Sequence, residues 1–302
     1  MLAGRRRSCY RIVVGPVSTR IEDLRRERGA LLMGVLNVTP DSFFDGGRFD
    51  AETAAIRRID ELVQSGADVI DIGAESTRPG AAAIPPSVQI ARLEPALRYA
   101  VQRGVLVSVD TASPAVARHA LELGAHLIND VSCLAEADLA SACAEHRAPL
   151  VIMHSRGPAA KMLGFSVYPD SGYGDIVEDV RREWRSARDR AVQAGMATED
   201  VYFDPGLGFA KNARQSFALL AGLAEFQSEG VIVVGPSRKS FIGSVDGAPP
   251  SERLGGSVAA ALLAVARGAA IVRVHDVREV RQALSVTAAV ERPPSLGSAR
   301  AG

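Results

Sequence analysis

The chain has 302 residues, 47% of them hydrophobic, which fits one large domain with a core of ordinary size. Lysine plus arginine and aspartate plus glutamate both total 35, so the formal net charge is zero and no overall basic field favours nucleic acid or an anionic membrane as a partner. Cys9, Cys133 and Cys143 form no CxxC pair and no apolar run has the length of a signal peptide or a membrane span, so we expect free thiols and a cytoplasmic location.

The start of the chain, residues 1–11, is basic and precedes the first predicted element. We interpret it as a solvated, loosely ordered extension, and a targeting segment or an RNA-binding tail stays open as an alternative. Residues 1–29 are therefore an N-terminal extension without an assigned role. The predicted domain covers residues 30–290, where no linker is visible, and a polar tail covers residues 291–302.

Short runs rich in Val, Ile and Leu recur along the domain, and each is followed by a polar turn and a helical stretch. This alternation predicts parallel βα units, and eight of them with no strand left over favour a closed barrel over an open sheet. We predict an α/β protein with a single (β/α)8 TIM barrel. Its strands are 30–38, 68–73, 105–110, 126–131, 149–154, 200–204, 230–235 and 269–274.

The segments between the strands have helical patterns. Residues 51–65 carry an apolar stripe at helical spacing, formed by Ile56, Ile59, Leu62 and Val63. Gly66 follows in the position of a C-terminal cap, whereas Ser113-Pro114 and Pro250-Ser251 are typical of helix starts. The heavily charged segment 175–194 indicates a solvated outer helix rather than a nucleic-acid-binding surface.

Polar residues close nearly every predicted strand. In such barrels the active site lies at the C-terminal ends of the strands, so these residues are functional candidates. Any one of them is equally typical of a helix cap, but caps do not explain the whole set. The set comprises Asn37, Asp41, Ser42, Asp71, Asp110, Asn129, Asp130, His154, Asp204, Ser237, Arg238, Lys239, Arg273, His275 and Asp276.

The chemistry of this set is uneven around the ring. Cations are concentrated after strands 7 and 8, where barrels frequently bind phosphate, while Asp110, Asn129 and Asp204 are suited to the edge of a flat heterocycle. Buried carboxylates need a donor, so these are either paired within the protein or await a ligand with N–H groups. A nucleophile elbow, a Walker loop and an HExxH zinc site are all absent.

Eight sequence blocks resemble the dihydropteroate synthases, a folate-pathway family, in that family's order and spacing over residues 30 to 287. The blocks are MGVLNVTPDSFFDGG (33–47), DIGAESTRPGA (71–81), SVDT (108–111), INDVS (128–132), MHSRG (153–157), FDPGLGFAK (203–211), GPSRKSFIG (235–243) and RVHD (273–276). The resemblance implies condensation of 6-hydroxymethyl-7,8-dihydropterin pyrophosphate with 4-aminobenzoate, sensitivity of the arylamine pocket to sulfonamides, and a homodimer.

The resemblance also implies a role for individual residues. Asp110, Asn129, Met153, Asp204, Lys239 and Arg273 would hold the pterin. Asn37, Thr77, Arg273 and His275 would hold the pyrophosphate, with Asn37 contacting Mg²⁺. The arylamine pocket and its closing loops would comprise Asp41, Ser42, Phe43, Asp45, Thr77, Arg78, Pro79, Gly208, Phe209 and Ser237. Asp110, Lys239, Arg273 and His275 are the implied catalytic residues.

The implied mechanism is departure of pyrophosphate followed by capture of a pterin methylene cation by the arylamine, which needs no strong base. Three positions depart from the family pattern: Phe44 replaces a common Ser, Ser155 a frequent Met, and Ala210 a frequent Gly. They affect the expected loop closure and sulfonamide affinity rather than the pterin residues. Two alternatives stay open: a pterin-dependent methyltransferase barrel and a catalytically silent pterin-binding paralogue.

Overall fold

Strands and helices alternate along the chain as the sequence predicts. The computed structural model describes residues 17–39, 48–75, 84–157 and 167–291, with only the backbone described at 48–50. The strands are β1 (Leu31–Asn37), β2 (Val69–Gly73), β3 (Leu106–Asp110), β4 (Leu127–Asp130), β5 (Leu150–Met153), β6 (Val201–Asp204), β7 (Val233–Val234) and β8 (Ile271–Val274). Each of them lies within its predicted run.

The described helices surround these strands. They are α1 (Val17–Arg28), α2 (Arg48–Gln64), α3 (Pro86–Gln102), α4 (Pro114–Glu122), α5 (Asp138–His146), α6 (Ile176–Gln193), α7 (Ala213–Ala221), α8 (Ser240–Gly243), α9 (Leu254–Ala266) and α10 (Val277–Glu291). Short 3₁₀ turns occupy Asp170–Gly172, Thr198–Asp200, Leu223–Glu229 and Pro250–Glu252. Among the described helices, none combines the length and hydropathy that crossing a bilayer requires.

All eight strands are parallel members of one sheet, in the order β6-β5-β4-β3-β2-β1-β8-β7. The two outer strands of that order meet through a bridge between Phe203 and Ile232 and a 2.9 Å hydrogen bond from the Phe203 N–H to the Val231 carbonyl. The sheet therefore curves into a nearly closed barrel. The predicted (β/α)8 architecture is confirmed.

Alternate side chains of each strand point out toward the helices or into the barrel. Outward residues such as Ile72 and Val109 join the helices in the main core. Inward residues at the first or second position of each strand, such as Val69 and Val151, form a second apolar cluster that fills the N-terminal end. Most inward positions nearer the C-terminal ends of the strands are polar, and these side chains share one mouth.

The helix α1 closes the N-terminal end of the barrel. Its Ile21 is fully buried in the inner apolar cluster, with Val17 and Leu24 packed against it. Arg28, at its last position, pairs with Asp68, which also accepts a 2.8 Å hydrogen bond from the Leu32 N–H. The helix α1, to which the sequence analysis assigned no role, thus completes the core. The domain boundaries at residues 29 and 290 stay predictions.

Most of the predicted helix ends are confirmed. The Ser113 side chain accepts a hydrogen bond from the Val116 N–H ahead of Pro114, and Gly66 has a φ of 94° beyond the end of α2. The start predicted at Pro250 is wrong for an α-helix. Residues 250–252 form a 3₁₀ turn, and α9 begins only at Leu254. Arg253, between them, donates from Nε to the Ala248 carbonyl and from Nη1 to the Arg238 carbonyl, and these two hydrogen bonds hold the turn apart from the helix.

Candidate active site

The strand register brings the predicted pterin residues to one level of the mouth. Asp110 pairs in register with Asn129, and Met153 with Asp204, so each pair lies side by side on the inner face of adjacent strands. Arg273 lies at the corresponding inward position of β8, beside β1. The chain positions of these residues are far apart, and the parallel barrel alone brings them together.

Arg273 is held from below by two carboxylates. Its Nε lies 2.6 Å from Asp71 Oδ2 and its Nη2 lies 3.1 Å from Asp110 Oδ2. Burial opposes the guanidinium charge, but these two carboxylates outweigh it and raise the pKa of Arg273. Arg273 is therefore a fixed, charged donor at the mouth, in a geometry suited to an anion.

Asp71 connects Arg273 to Asn129. The Oδ2 atom that binds Arg273 also accepts a 3.1 Å hydrogen bond from Asn129 Nδ2, and Asp71 is fully buried. Because this bond uses the amide nitrogen, the Asn129 oxygen stays available as an acceptor. Asp71 is among the polar candidates of the sequence, but the family resemblance assigns it no role; its inward position in the period-two pattern of β2 is the signal that points to the site.

Asp110 carries a strongly shifted acidity. Burial raises its pKa to about 7, and the neighbouring carboxylate of Asp71 acts in the same direction, whereas Arg273 acts against them. A carboxyl group of this acidity changes its charge near neutral pH. Asp110 can therefore respond electrostatically when positive charge develops at the mouth.

Asp204 and Lys239 face each other across the same mouth. Asp204 Oδ1 accepts a 2.7 Å hydrogen bond from the Gly206 N–H, and burial raises the pKa of Asp204. Lys239 Nζ donates to the Leu207 carbonyl at 2.6 Å and lies 4.6 Å from the centre of the Phe209 ring. Burial lowers the pKa of Lys239 to about 8 against the attraction of Asp204.

Ser237 and His275 form a contact at the rim after β7 and β8. His275 Nδ1 lies 3.0 Å from Ser237 Oγ, and the His275 backbone N–H donates to that oxygen at 3.2 Å. Burial, with Arg273 and Arg238, lowers the pKa of His275 to about 4, so its imidazole is neutral at pH 7. It acts there as a hydrogen-bond donor or acceptor rather than as a cation.

Fewer unpaired cations lie at this rim than the sequence predicts. Arg238 donates from Nε to Asp276 Oδ2 at 2.9 Å. Both residues line a cavity of about 360 Å³ between α2 and the start of α10, together with Arg58 and His275. The structure therefore pairs Arg238 with a carboxylate and leaves Arg273 and Lys239 as the cations of the mouth among the described residues.

Asn37 ends β1 as an exposed residue at the mouth. A Cβ placed on Gly73 would lie 3.4 Å from Asn37 Oδ1 and 3.4 Å from Asp110 Cβ, so the glycine leaves a gap between these two side chains. Gly208 has a φ of 79° and would place a Cβ 3.7 Å from Lys239 Cδ. Met153 and Phe209, both buried, pack together on the apolar side of the mouth.

Several predicted site residues lie outside the described part of the chain. They are Asp41, Ser42, Phe43, Asp45, Thr77, Arg78 and Pro79, and the departure at Phe44 lies there too. Ser155 is buried and its Oγ donates to the Gly157 carbonyl at 3.3 Å. Ala210 has a φ of 49°, a left-handed conformation that favours glycine.

Comparisons with known proteins identify the family of this chain. The family model described as "Pterin binding enzyme" matches residues 33–275. The dihydropteroate synthase of Escherichia coli strain K12 is 42% identical over 260 residues, which are 85% of this chain and 90% of that protein.

Two solved structures are similar over most of their length. The Xanthomonas albilineans dihydropteroate synthase with 4-aminobenzoic acid is 40% identical, with a TM-score of 0.80, and the match covers 88% of this chain and 94% of that one. The Burkholderia cenocepacia dihydropteroate synthase with 7,8-dihydropteroate is 42% identical, with a TM-score of 0.77, and the match covers 87% and 91% of the two chains.

Proposed function

The chain belongs to the pterin-binding enzymes and, among them, to the dihydropteroate synthases, and on this premise we propose that the mouth of its barrel joins the two substrates of that reaction. The reaction condenses 6-hydroxymethyl-7,8-dihydropterin pyrophosphate with 4-aminobenzoate and releases pyrophosphate. The observation that carries the site proposal is the convergence of Asp110, Asn129, Asp204 and Arg273 on one end of the barrel.

The pterin ring is proposed to lie flat between these polar groups. Its exocyclic amine and ring N–H groups match the carboxylate of Asp204 and the free amide oxygen of Asn129, and its carbonyl matches Lys239. Such donors would lower the cost of burying Asp204 and so offset the effect that raises its pKa. Met153 and the guanidinium plane of Arg273 supply the two faces.

The pyrophosphate is proposed to lie toward the rim, where Arg273 and His275 converge. Arg273 keeps donor groups free because its contacts to Asp71 and Asp110 use Nε and Nη2 alone. The neutral imidazole of His275, positioned by Ser237, adds a hydrogen bond rather than a charge. Charge that builds on the leaving group is thus met by a guanidinium already fixed in place.

Magnesium is a proposed cofactor, and the donor set fits it. No group of three Asp, Glu, His or Cys side chains arranged for a metal occurs in the described ranges. Mg²⁺ nevertheless binds readily through one or two protein oxygens when water and substrate phosphates complete its shell, and the exposed amide oxygen of Asn37 suits that role. When bound, the ion would supply charge neutralisation to the leaving pyrophosphate.

The arylamine is proposed to enter beside Phe209 and Ser237. The Phe209 ring lies against Lys239 and Met153, so one wall of this pocket is continuous with the pterin site. Asp110 stabilises positive charge on the pterin methylene once pyrophosphate departs, and the arylamine nitrogen then forms the new bond. The arylamine nitrogen then loses a proton to water, and no strong base is required for this step.

We also propose a homodimer in the cytoplasm. Phe217 of α7 and Leu263 of α9 are large apolar side chains that are 39% and 45% exposed on two helices in contact with each other. A second copy that covers them would bury apolar surface, which favours association. Light scattering of Leu263→Glu against wild type tests the dimer.

The cytoplasmic location is proposed because Cys133 and Cys143 are free thiols, which a reducing compartment favours.

The decisive test is turnover by the purified protein. Dihydropterin pyrophosphate, 4-aminobenzoate and Mg²⁺ should give equal amounts of pyrophosphate and 7,8-dihydropteroate, and omission of either organic substrate should stop dihydropteroate formation. Binding of the pterin without any product would contradict the synthase and indicate a catalytically silent pterin binder.

A further inference from the structure

Lys211 is a fully buried lysine that the proposed reaction does not use. It lies between β6 and α7, one residue before the helix cap at Asn212. Its Nζ is 2.9 Å from the Phe209 carbonyl, 3.1 Å from that of Gly206 and 3.2 Å from that of His154. Three carbonyls from two neighbouring strand ends therefore converge on one ammonium group.

The fourth contact of Lys211 is an imidazole. Nζ lies 2.9 Å from His154 Nδ1, and His154 Nε2 lies 3.0 Å from Glu183 Oε2. Despite burial, hydrogen bonds from Arg156 and His154 lower the pKa of Glu183, so this side chain is a carboxylate and accepts. His154 therefore carries its proton on Nε2 and presents Nδ1 as an acceptor to Lys211.

All four partners of Lys211 are thus acceptors, which suits an ammonium group and not a neutral amine. Burial lowers the pKa of Lys211 to about 7, and the carboxylate of Asp204 acts in the opposite direction. A buried charge is tolerated where hydrogen bonds and an opposite charge compensate it, and both are present at this position.

The segment that Lys211 holds, residues 206–209, is the one that faces the substrate. The Gly206 N–H donates to Asp204 at 2.7 Å while its carbonyl accepts from Lys211. The next carbonyl, that of Leu207, points the other way and accepts from Lys239 at 2.6 Å. Residues 206–209 therefore lie between two lysines, one buried behind them and one in the mouth.

The backbone of this segment does not hold that shape through its own preference. Gly206 and Gly208 have φ values of 65° and 79°, and Ala210 has 49°. A Cβ on Gly206 would lie 2.0 Å from the His154 carbonyl oxygen, so the segment packs directly on the end of β5. Glycine adopts this backbone without strain but leaves it equally easily, so contacts with the surroundings, including the hydrogen bonds of Lys211, hold the segment in one conformation.

We propose that Lys211 is a positioning residue for the pterin. Its ammonium group holds residues 206–209 in the conformation that places Asp204 against the substrate. The same conformation places the Leu207 carbonyl, which in turn positions Lys239 for the substrate. Lys211 itself does not touch the substrate. The proposal rests on the proposed function, because the ligand that Asp204 and Lys239 receive is the pterin of that reaction.

Lys211→Met removes the ammonium group while keeping an unbranched apolar chain in the buried space. The dissociation constant and the KM for dihydropterin pyrophosphate should rise about tenfold or more, while kcat at saturation stays within about threefold, because positioning of the binding edge is lost before bond breaking is affected. Calorimetric titration with dihydropterin pyrophosphate alone and steady-state kinetics give these values.

Trp184→Phe is the matched control. It removes a buried 2.9 Å hydrogen bond to the Ile152 carbonyl on β5, and it should lower thermal stability without removing a hydrogen bond of residues 206–209. The pterin dissociation constant of this variant should stay within about twofold of wild type. Wild-type pterin affinity in Lys211→Met would overturn the proposal, whereas a wild-type protein that binds no pterin would instead overturn the proposed function.

The wild-type protein supplies a second test should Lys211→Met fail to fold. The chain has three lysines, Lys161, Lys211 and Lys239, so labelling with ¹³C at lysine Cε gives three side-chain signals, two of which Lys161→Arg and Lys239→Met assign. At saturating dihydropterin pyrophosphate the signals of Lys211 and Lys239 should both move, because both lysines donate to carbonyls of residues 206–209, which the bound pterin would fix in place. A stationary Lys211 signal beside a moving Lys239 signal would overturn the proposal.

Discussion

Arg273 and Asp71 form a 2.6 Å ion pair inside the barrel, through an Asp71 oxygen that also accepts a bond from Asn129. The buried carboxylate of Asp71 thus fixes the positions of two side chains. One is the Arg273 guanidinium, which is proposed to bind pyrophosphate, and the other is the Asn129 amide, which is proposed to bind the pterin. Asp71 acts on the substrate only through these two neighbours, so its effect on the reaction is one of positioning.

Asp71→Asn should lower kcat/KM by about 10- to 100-fold, because a charge-assisted bond contributes about 1.5–3 kcal/mol and its loss frees the Arg273 side chain. Asp60→Asn is the control, since Asp60 pairs with Arg103 at 2.9 Å on the outer helices and its removal should leave the kinetics within about twofold. Steady-state rates of pyrophosphate release measure both. An Asp71→Asn enzyme with the wild-type kcat/KM would show that Arg273 needs no buried partner.

The shifted acidities of Asp110 and Lys239 predict a bell-shaped pH profile. The pKa of Asp110 is about 7, so its ionisation should raise kcat/KM with a midpoint near 7, whereas loss of the protons of Lys211 and Lys239, whose pKa values are about 7 and 8, should lower kcat/KM on the basic side. Asp110→Asn should abolish the acidic limb and keep the basic one. An acidic limb unchanged in this variant would assign it to another group.

The same carboxyl group links stability to pH. The unfolded chain releases the Asp110 proton near pH 4 and the folded protein near pH 7, so the folded state binds the extra proton between these values. The contribution of Asp110 to the free energy of unfolding is therefore greatest below pH 4 and is lost as pH rises through 7. Urea titrations at pH 5 and pH 8 should show a smaller difference for Asp110→Asn than for wild type.

Ala210→Gly should stabilise the protein by about 0.5–1 kcal/mol, because the left-handed φ of 49° costs a residue with a Cβ about 1 kcal/mol or more. Ala218→Gly is the matched control: the same change at an exposed position within α7 should destabilise by about 0.5–1 kcal/mol. Thermal or urea unfolding of the two variants should shift in opposite directions. A loss of stability in Ala210→Gly would contradict the strain at this position.

The barrel could be predicted because its two signals are local. Runs of apolar residues marked every strand, and polar residues at the ends of most runs marked the mouth, whereas His154 contacts the buried Lys211 instead. In β2 and β3 the period of two places Asp71, Ser108 and Asp110 on the inner face, so Asp71, to which the resemblance assigned no role, follows the same rule.

The features that the sequence did not predict depend on contacts between distant segments. Lys211 and His154 are 57 residues apart, and nothing near either one indicates that an ammonium group will meet an imidazole and three carbonyls. The helix α1 places one fully buried residue, Ile21, against the barrel, so its apolar pattern was too short to stand out. Arg238 lay among the predicted cations of the mouth, and only the folded chain shows that Asp276 pairs with it.

The most direct test compares pyrophosphate release by wild type, Arg273→Ala and Arg214→Ala, each with dihydropterin pyrophosphate, 4-aminobenzoate and Mg²⁺. Arg214 is an exposed arginine, 84% accessible, in the first turn of α7, and it pairs with Asp170 rather than with a residue of the proposed site, so its variant should match wild type. Arg273→Ala should lose about 10³-fold or more in kcat/KM, because the fixed charge that meets the leaving group is gone and the carboxylates of Asp71 and Asp110 are left unpaired. Release by folded Arg273→Ala at a rate close to wild type would contradict the assignment of this mouth as the place where pyrophosphate departs.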